Sequence, residues 1–539
     1  MALCSCYMAS CNKERVSEKM ISGQTKETMA NVKNGVIRMI FAILSIAIEV
    51  FLIILIVIKM SKEMVWFSAA FSLLGLAIVL ILYGKKESAS IKMPWILLIL
   101  LVPVAGLVFY LLVGQDKGTR KMIKRYEEID KKLLPLLPSN EKEQQELKEK
   151  SPYAANIAHY IKKYSDYPVY KNTDITYFDD ALKGLESQKK ELQKAKEFIF
   201  MEYHAIEDAE SWHGIQKILE EKVKEGVEVR VFYDDMGSIG FVNTDFVKRL
   251  ESVGINARVF NPFAPGLNLF LNNRDHRKIT VIDGKVGFTG GYNLANEYFH
   301  ITKPFGFWKD TGIKLEGDAV KSLTITFLEM WNAVKAKDID DVAFDKYIKN
   351  YDHKASESGF VAPYADSPMD KIHVGEDVYM SIANSARDYA WYITPYLIIT
   401  DEMISALSLA AKRGVDVRII TPGIPDKKLV YSVTRSYYNA LVENGVRIFE
   451  YTPGFCHAKM SVSDDTMATC GTINLDYRSL YHHFENGCFI AESHVVGEIK
   501  KDFQEMFNVS TEVTEYYKSG RGRFLRFGQM LLRLAAPLM

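Results

Sequence analysis

Six cysteines in 539 residues, with no CxxC pair and no histidine at zinc-ligand spacing, argue against a disulfide framework and a structural zinc site. Three of them, Cys4, Cys6 and Cys11, crowd the start, where acylation is the alternative to ordinary thiols; Cys456, Cys470 and Cys488 are scattered. Net charge is missing too. The 67 Lys and Arg balance 67 Asp and Glu, so no overall basic surface points to nucleic acid as a partner. Asp and Glu do not cluster as a metal-held reaction centre would need, and no metal or other cofactor is expected. No small-residue cleavage site precedes a mature domain, which argues against a secretory leader.

Apolar residues, by contrast, are concentrated. Val36–Ile58, Met64–Tyr83 and Met93–Val113 are each about as long as the roughly 20 residues that cross a bilayer. The second and third carry no charge and have Trp66, Trp95 and Tyr110 near their ends, where interfacial rings sit. The first holds Arg38 and Glu49, and a central acid is unfavourable by a few kcal/mol. Two or three spans are therefore expected. Lysines and arginines flank these stretches on both sides; the dense group Lys117, Arg120, Lys121, Lys124 and Arg125 places the rest of the chain in the cytoplasm.

The chemistry sits in a repeat. His276-Arg277-Lys278 with Asp283, and His457-Ala458-Lys459 with Asp464, share the spacing HxKxxxxD and lie 181 positions apart. In an extended strand residues i and i+2 share a face, so each His and Lys can converge on one phosphate. The copies extend further. Each is followed by a turn (Asp283-Gly284, Asp464-Asp465), a strand and small residues leading to an Asn: Asn293 after Gly290-Gly291, Asn474 after Gly471-Thr472. Glycine lets backbone approach a phosphate, and the two Asn are candidate phosphate donors. Asp310 and Glu485 occupy comparable places on the final strands of the two copies, where a carboxylate behind an imidazole would fix its tautomer. Asp283 and Asp464 act either directly or by ordering the turn. His482 and His483 lack motif spacing and read as surface or capping residues.

Upstream of each motif the order strand, helix, strand, helix, strand repeats: FIFM at 198–201 and GVEVRVFYDD at 226–235 match AWYIT at 390–394 and GVDVRIITPG at 414–423. This divides the chain into a polar extension (1–35), a membrane region (36–115), a helical connector (116–165), a first α/β lobe (166–340), a linker (341–375), a second lobe (376–515) and a basic C-terminal helix (516–539), the last an interfacial or packed helix.

Duplicated HxKxxxxD followed by a Gly-rich turn and Asn resembles the phospholipase D superfamily over about residues 165–515. Within it the chain is most similar to bacterial cardiolipin synthases, through PWILLILLVPVAGLVFYLLVG, NNRDHRKITVIDGKVGFTGGYNLANEY, WKDTGIKLEG, TPYLIITDEM and NLDYRSLYHHFEN. The resemblance implies two lobes, each a mixed sheet flanked by helices, related by a pseudo-twofold axis at which the motifs meet. It implies a multi-pass membrane enzyme that joins two phosphatidylglycerol molecules into cardiolipin and glycerol, with His276 as nucleophile and His457 as acid and base. A membrane phospholipase D or another phosphatidyltransferase fits the same motifs, and an inactive membrane scaffold fits them less well. Oligomeric state is left open.

Overall fold

The computed structural model describes residues 65–86, 88–113, 120–262, 273–334 and 344–519, with a few isolated positions outside these ranges. The polar extension with Cys4, Cys6 and Cys11, the acid Glu49 and most of the C-terminal helix lie outside the described residues.

The first lobe holds β1 (Thr173–Phe178), β2 (Phe198–Tyr203), β3 (Glu228–Asp234), β4 (Asn256–Phe260), β5 (Arg274–Asp275), β6 (Lys278–Ile282), β7 (Val286–Gly290), β8 (Phe307–Lys309) and β9 (Gly312–Gly317). The second holds β10 (Phe360–Asp366), β11 (Tyr389–Ile393), β12 (Leu397–Ile398), β13 (Asp416–Pro422), β14 (Arg447–Tyr451), β15 (Gly454–Cys456), β16 (Met460–Ser463), β17 (Met467–Gly471), β18 (Leu475–Asp476), β19 (His483–Ala491) and β20 (Ser510–Glu512). The main sheets run β1-β9-β7-β6-β2-β3-β4 and β10-β19-β17-β16-β11-β13-β14-β20, so the inner order is the same in both. In each, two parallel crossovers (β2 to β3 to β4, β11 to β13 to β14) join an antiparallel half. β2 and β11 are buried at every position, as strands covered on both faces by helices must be.

The hairpin after each motif needs two consecutive residues at positive φ, the mark of a tight turn that matches strand twist. Asp283 and Gly284 (φ 54° and 66°) supply them in the first lobe, and Asp464 and Asp465 (51° and 57°) in the second.

Two boundaries shift from the sequence reading. The segment 341–375 is not a plain linker, because β10 lies inside it and pairs with β19 over seven residues. The connector joins the core as well. Its helices Arg120–Leu133 and Pro152–Ser165 put Leu133, Ala158 and Ile161 into the larger core.

The stretch Met93–Val113 is also not one continuous helix. It breaks at Val102 into Ala89–Leu101 and Pro103–Val113, which fold back so that Trp95 and Tyr110 stack edge-on at 5.5 Å. Pro103 has no N–H to continue the ladder and crowds the preceding turn. At about 1.5 Å per residue, 13 and 11 residues are shorter than the roughly 30 Å of a hydrocarbon core. Both pack on the 20-residue helix Val65–Gly84 through Val79, Leu82 and Ile99. Among the described residues, which omit the side chains at 65, 67 and 68, no helix is long and apolar enough to cross a membrane.

Candidate active site

The lobes meet through two reciprocal strand exchanges. β5, just before His276, pairs in parallel with the first residues of β19, just before Glu485. β15, just before His457, pairs in parallel with β8, just before Asp310. The His276 N–H donates to the Phe484 carbonyl (2.9 Å), and the His457 N–H donates to the Lys309 carbonyl (2.7 Å). Each motif histidine is thus delivered beside the other lobe's carboxylate. His276 Nδ1 lies 2.9 and 3.0 Å from the Glu485 oxygens, and His457 Nδ1 lies 2.7 Å from Asp310 Oδ2. An ionised carboxylate only accepts, so His276 Nδ1 carries the proton and its Nε2 lone pair is left for substrate. His457 Nδ1 also lies 2.7 Å from Lys459 Nζ, and it takes the same tautomer when Asp310 rather than the lysine is its partner.

Lys278 and Lys459 are 1 % exposed, and each donates to the carbonyl of its own motif histidine. Burial pushes Lys278 down to about 7 and Lys459 to about 8, although Glu485 and Asp310 favour their charged forms. Burial, then the ammoniums Lys278 and Lys459, holds His276 well below the ordinary imidazole range; burial, Lys459 and Lys278 do the same to His457. Burial raises Asp310 to about 6 against the pull of Lys459. The empty site therefore holds neutral imidazoles, with two lysines facing two carboxylates, and the lysines are the groups that meet the charge of an incoming phosphodiester. Since kcat/KM reports the free site, it is expected to be bell-shaped. It should fall below about pH 6 as Asp310 takes a proton, and above about 7 to 8 as the lysines lose theirs. A pH series of initial rates at low substrate checks both limbs.

The two motif aspartates sit at the far ends of their strands, about 16 Å from the lysines at roughly 3.3 Å per residue. Asp283 accepts from the backbone N–H groups of Lys196, Glu197 and Phe198 (2.7–2.9 Å), and Asp464 from those of Arg387, Asp388 and Tyr389 (2.8–3.0 Å). Each clamps its hairpin to the start of the neighbouring central strand. Of the two roles open to them, this geometry serves turn ordering, with no direct contact to the reacting centre. Asp283→Ala is expected to lower stability by about 2–4 kcal/mol by stranding three donors, with kcat of the folded protein unchanged. Thermal melts alongside active-site-normalised rates check this.

Asn293 is held from two sides. Its Oδ1 accepts from the Ala205 N–H (3.1 Å) and its Nδ2 donates to the Tyr298 hydroxyl (2.8 Å), bonds that fix the amide and use one of its two N–H donors. Tyr298 in turn sets its ring edge-on to His457 at 5.2 Å. Asn474 is buried, bonds with Asp476 and leaves its Oδ1 without a partner.

Several site residues had no motif to announce them. His483 lies with its ring 5.4 Å from His276 and its Nδ1 3.6 Å from Glu485, so it belongs to the site rather than to the surface. His204 stands 4.9 Å from His276 and bonds the Asp275 carbonyl through Nδ1 (2.7 Å). Arg277, fully buried between the motif residues, donates to the Glu485 and Thr326 carbonyls and to the Tyr126 hydroxyl, which ties the site to the connector helix. On the other side, Trp308 and Phe455 pack against His457 at 5.6 and 5.9 Å. The half-sites are thus unlike: imidazoles surround His276, and aromatic carbon surrounds His457. Among the described residues, metal-ligand types converge at His276, His483 and Glu485, whose donor atoms lie within 4.8 Å. The two ammoniums acting on the same space favour an anion there over a cation.

Gly291 shows how tightly the frame is drawn. A Cβ at this position would run into the Asp310 carboxylate. Gly291→Ala is expected to displace that carboxylate from His457 and lower turnover about 10- to 100-fold, measured by product formation at saturating lipid.

Two α/β lobes of matching strand order, each lending a carboxylate to the other's motif histidine, make up the phospholipase D arrangement, and the protein is of that class. The model of the cardiolipin synthase, PLD-like domain matches residues 189–331 and 379–507, and that of the phospholipase D-nuclease N-terminal region matches 50–115. The chain belongs to the PLD-like cardiolipin synthase family. It is 43 % identical over 461 residues to a protein of Streptococcus mutans, covering 86 % of this chain and 99 % of that one. It is 32 % identical to a cardiolipin synthase of Oceanobacillus iheyensis (86 % and 97 % covered) and 30 % identical to that of Halalkalibacterium halodurans (88 % and 95 %). Among solved structures, phosphatidylserine synthase of Haemophilus influenzae shares the fold at 13 % identity and a TM-score of 0.53, covering 72 % of this chain and 99 % of that one.

Proposed function

We propose that this protein is a membrane phosphatidyltransferase that makes cardiolipin and glycerol from two phosphatidylglycerol molecules. The observation that carries the reading is the crossed pair of imidazole–carboxylate bonds beside two buried ammoniums. His276 Nε2 attacks phosphorus, the P–O bond to the glycerol headgroup breaks, and the departing alkoxide takes a proton from His457. His457 is neutral in the empty site. The phosphodiester's negative charge, placed between Lys278 and Lys459, cancels their repulsion and lets His457 carry that proton. Glycerol leaves; His457, neutral again, takes the proton of the second lipid's primary hydroxyl, whose oxygen attacks phosphorus and breaks the P–N bond. Glu485 and Asp310 hold the two rings, Asp283 and Asp464 hold the hairpins, and Asn293 and Asn474 line the site.

The N-terminal helices are part of the same proposal: they keep the lobes, on the cytoplasmic side, where acceptor lipid is concentrated, which favours transfer over hydrolysis. Purified protein incubated with phosphatidylglycerol and followed by mass spectrometry tests the reading. Cardiolipin and glycerol in equal amounts are expected; phosphatidic acid as the sole product would make it a phospholipase D.

A further inference from the structure

The unlike half-sites continue to the surface. On the His457 side, the aromatic wall of Trp308 and Phe455 is extended outward by Phe305 and Tyr396, whose rings lie 6.4 and 6.3 Å from Phe455. Beyond them two segments lie side by side: Ile301–Phe307 and Ile424–Leu429. Gly306 bridges Gly454, the Ile424 N–H donates to the Gly454 carbonyl (3.3 Å), and the Ile424 side chain packs against Gly306. These segments leave Ile301, Phe307, Ile424 and Leu429 exposed (37–56 %). Interspersed with them are the exposed lysines Lys303, Lys427 and Lys428. Lys427 stands over the Tyr396 ring at 5.5 Å and pairs with Asp426 at 4.0 Å, and the rings Tyr396, Phe455 and His457 follow one another at 6.3 and 5.9 Å, which connects this surface to the site.

We propose that this rim docks on an anionic bilayer surface and that lipid enters the site along the aromatic wall beside His457. Apolar tips among lysines match both layers of such a surface, the side chains entering the acyl boundary while the ammoniums stay with the phosphates. Neutral overall charge makes the local arrangement necessary, because the chain as a whole is not drawn to an anionic surface. The inference rests on the lipid-transfer reading but adds to it a second attachment, at the catalytic lobes themselves, independent of the N-terminal helices.

The test uses the full-length protein in proteoliposomes containing phosphatidylglycerol and, separately, in detergent with short-chain phosphatidylglycerol below its micelle-forming concentration. Ile424→Asp combined with Leu429→Asp is expected to lower turnover of bilayer lipid at least 10-fold and to leave turnover of the dispersed lipid within 2-fold. Equal losses on both substrates, or no loss on either, would overturn the rim. A parent protein that makes cardiolipin from neither substrate would instead remove the transfer reading. As a direct check of position, Ile424→Trp should add fluorescence that is quenched by lipids brominated near the glycerol backbone. Added emission that only an aqueous quencher reaches also overturns the proposal.

Discussion

Replacing His276 by alanine is expected to reduce cardiolipin formation by at least about 10⁴-fold, because the nucleophile and the residues that activate it act as one unit. His457→Ala should be about as damaging on phosphatidylglycerol, yet the two losses differ in kind. Without His276 no covalent lipid is trapped when the reaction is quenched in acid. Without His457 the first step fails only because the glycerol alkoxide leaves unprotonated. A donor whose leaving group is a weak base needs no acid, so His457→Ala should still release that group and accumulate labelled enzyme. Labelling that persists in His276→Ala and vanishes in His457→Ala would exchange the two roles. Lys278→Ala and Lys459→Ala should weaken both steps, since each ammonium meets the phosphate in every state.

The duplicated motif was legible because HxKxxxxD is local: strand geometry puts His and Lys together whatever surrounds them. The lobe order was legible for a related reason, since buried central strands such as FIFM and AWYIT read as continuous apolar runs. What stayed hidden depends on contacts across the interface. Asp310 and Glu485 stood out as acids on final strands, but sequence position does not say that each serves the histidine 147 or 209 residues away. His204 and His483 carry no spacing relation to His276, because β2 and β19 bring them there from different lobes. β10 was hidden by its surroundings, since the Asp, Lys and Ser around it read as linker although FVAPYAD itself is buried at every position. The hairpin at Met93–Val113 was readable in principle: Pro103 is the break, and uniform apolarity drew attention from it.

The crossed wiring makes the second large prediction. Glu485→Gln and Asp310→Asn keep size and remove only the acceptor that holds Nδ1–H. An amide can present N–H to Nδ1 instead, which moves the ring proton to Nε2, the atom that must act on substrate. Each change is expected to lower turnover by about 10² to 10⁴-fold. The steps affected should differ by lobe exchange. Glu485, in the second lobe, holds the nucleophile of the first, so Glu485→Gln should suppress covalent labelling even with the activated donor. Asp310, in the first lobe, holds the acid of the second, so Asp310→Asn should spare labelling by the activated donor and slow only reactions that need a proton moved. Glu485 has a further tie, since the Thr472 hydroxyl donates to its Oε2 (2.5 Å), whereas Gly291 stands at the corresponding place near Asp310. Thr472→Val should therefore reproduce a weaker form of the Glu485→Gln defect. Combining His276→Ala with Glu485→Gln should add almost nothing to His276→Ala alone, because the carboxylate acts only through the ring. Suppression of activated-donor labelling by Asp310→Asn to the level of Glu485→Gln would break the crossed assignment and leave both carboxylates as general supports of one shared site.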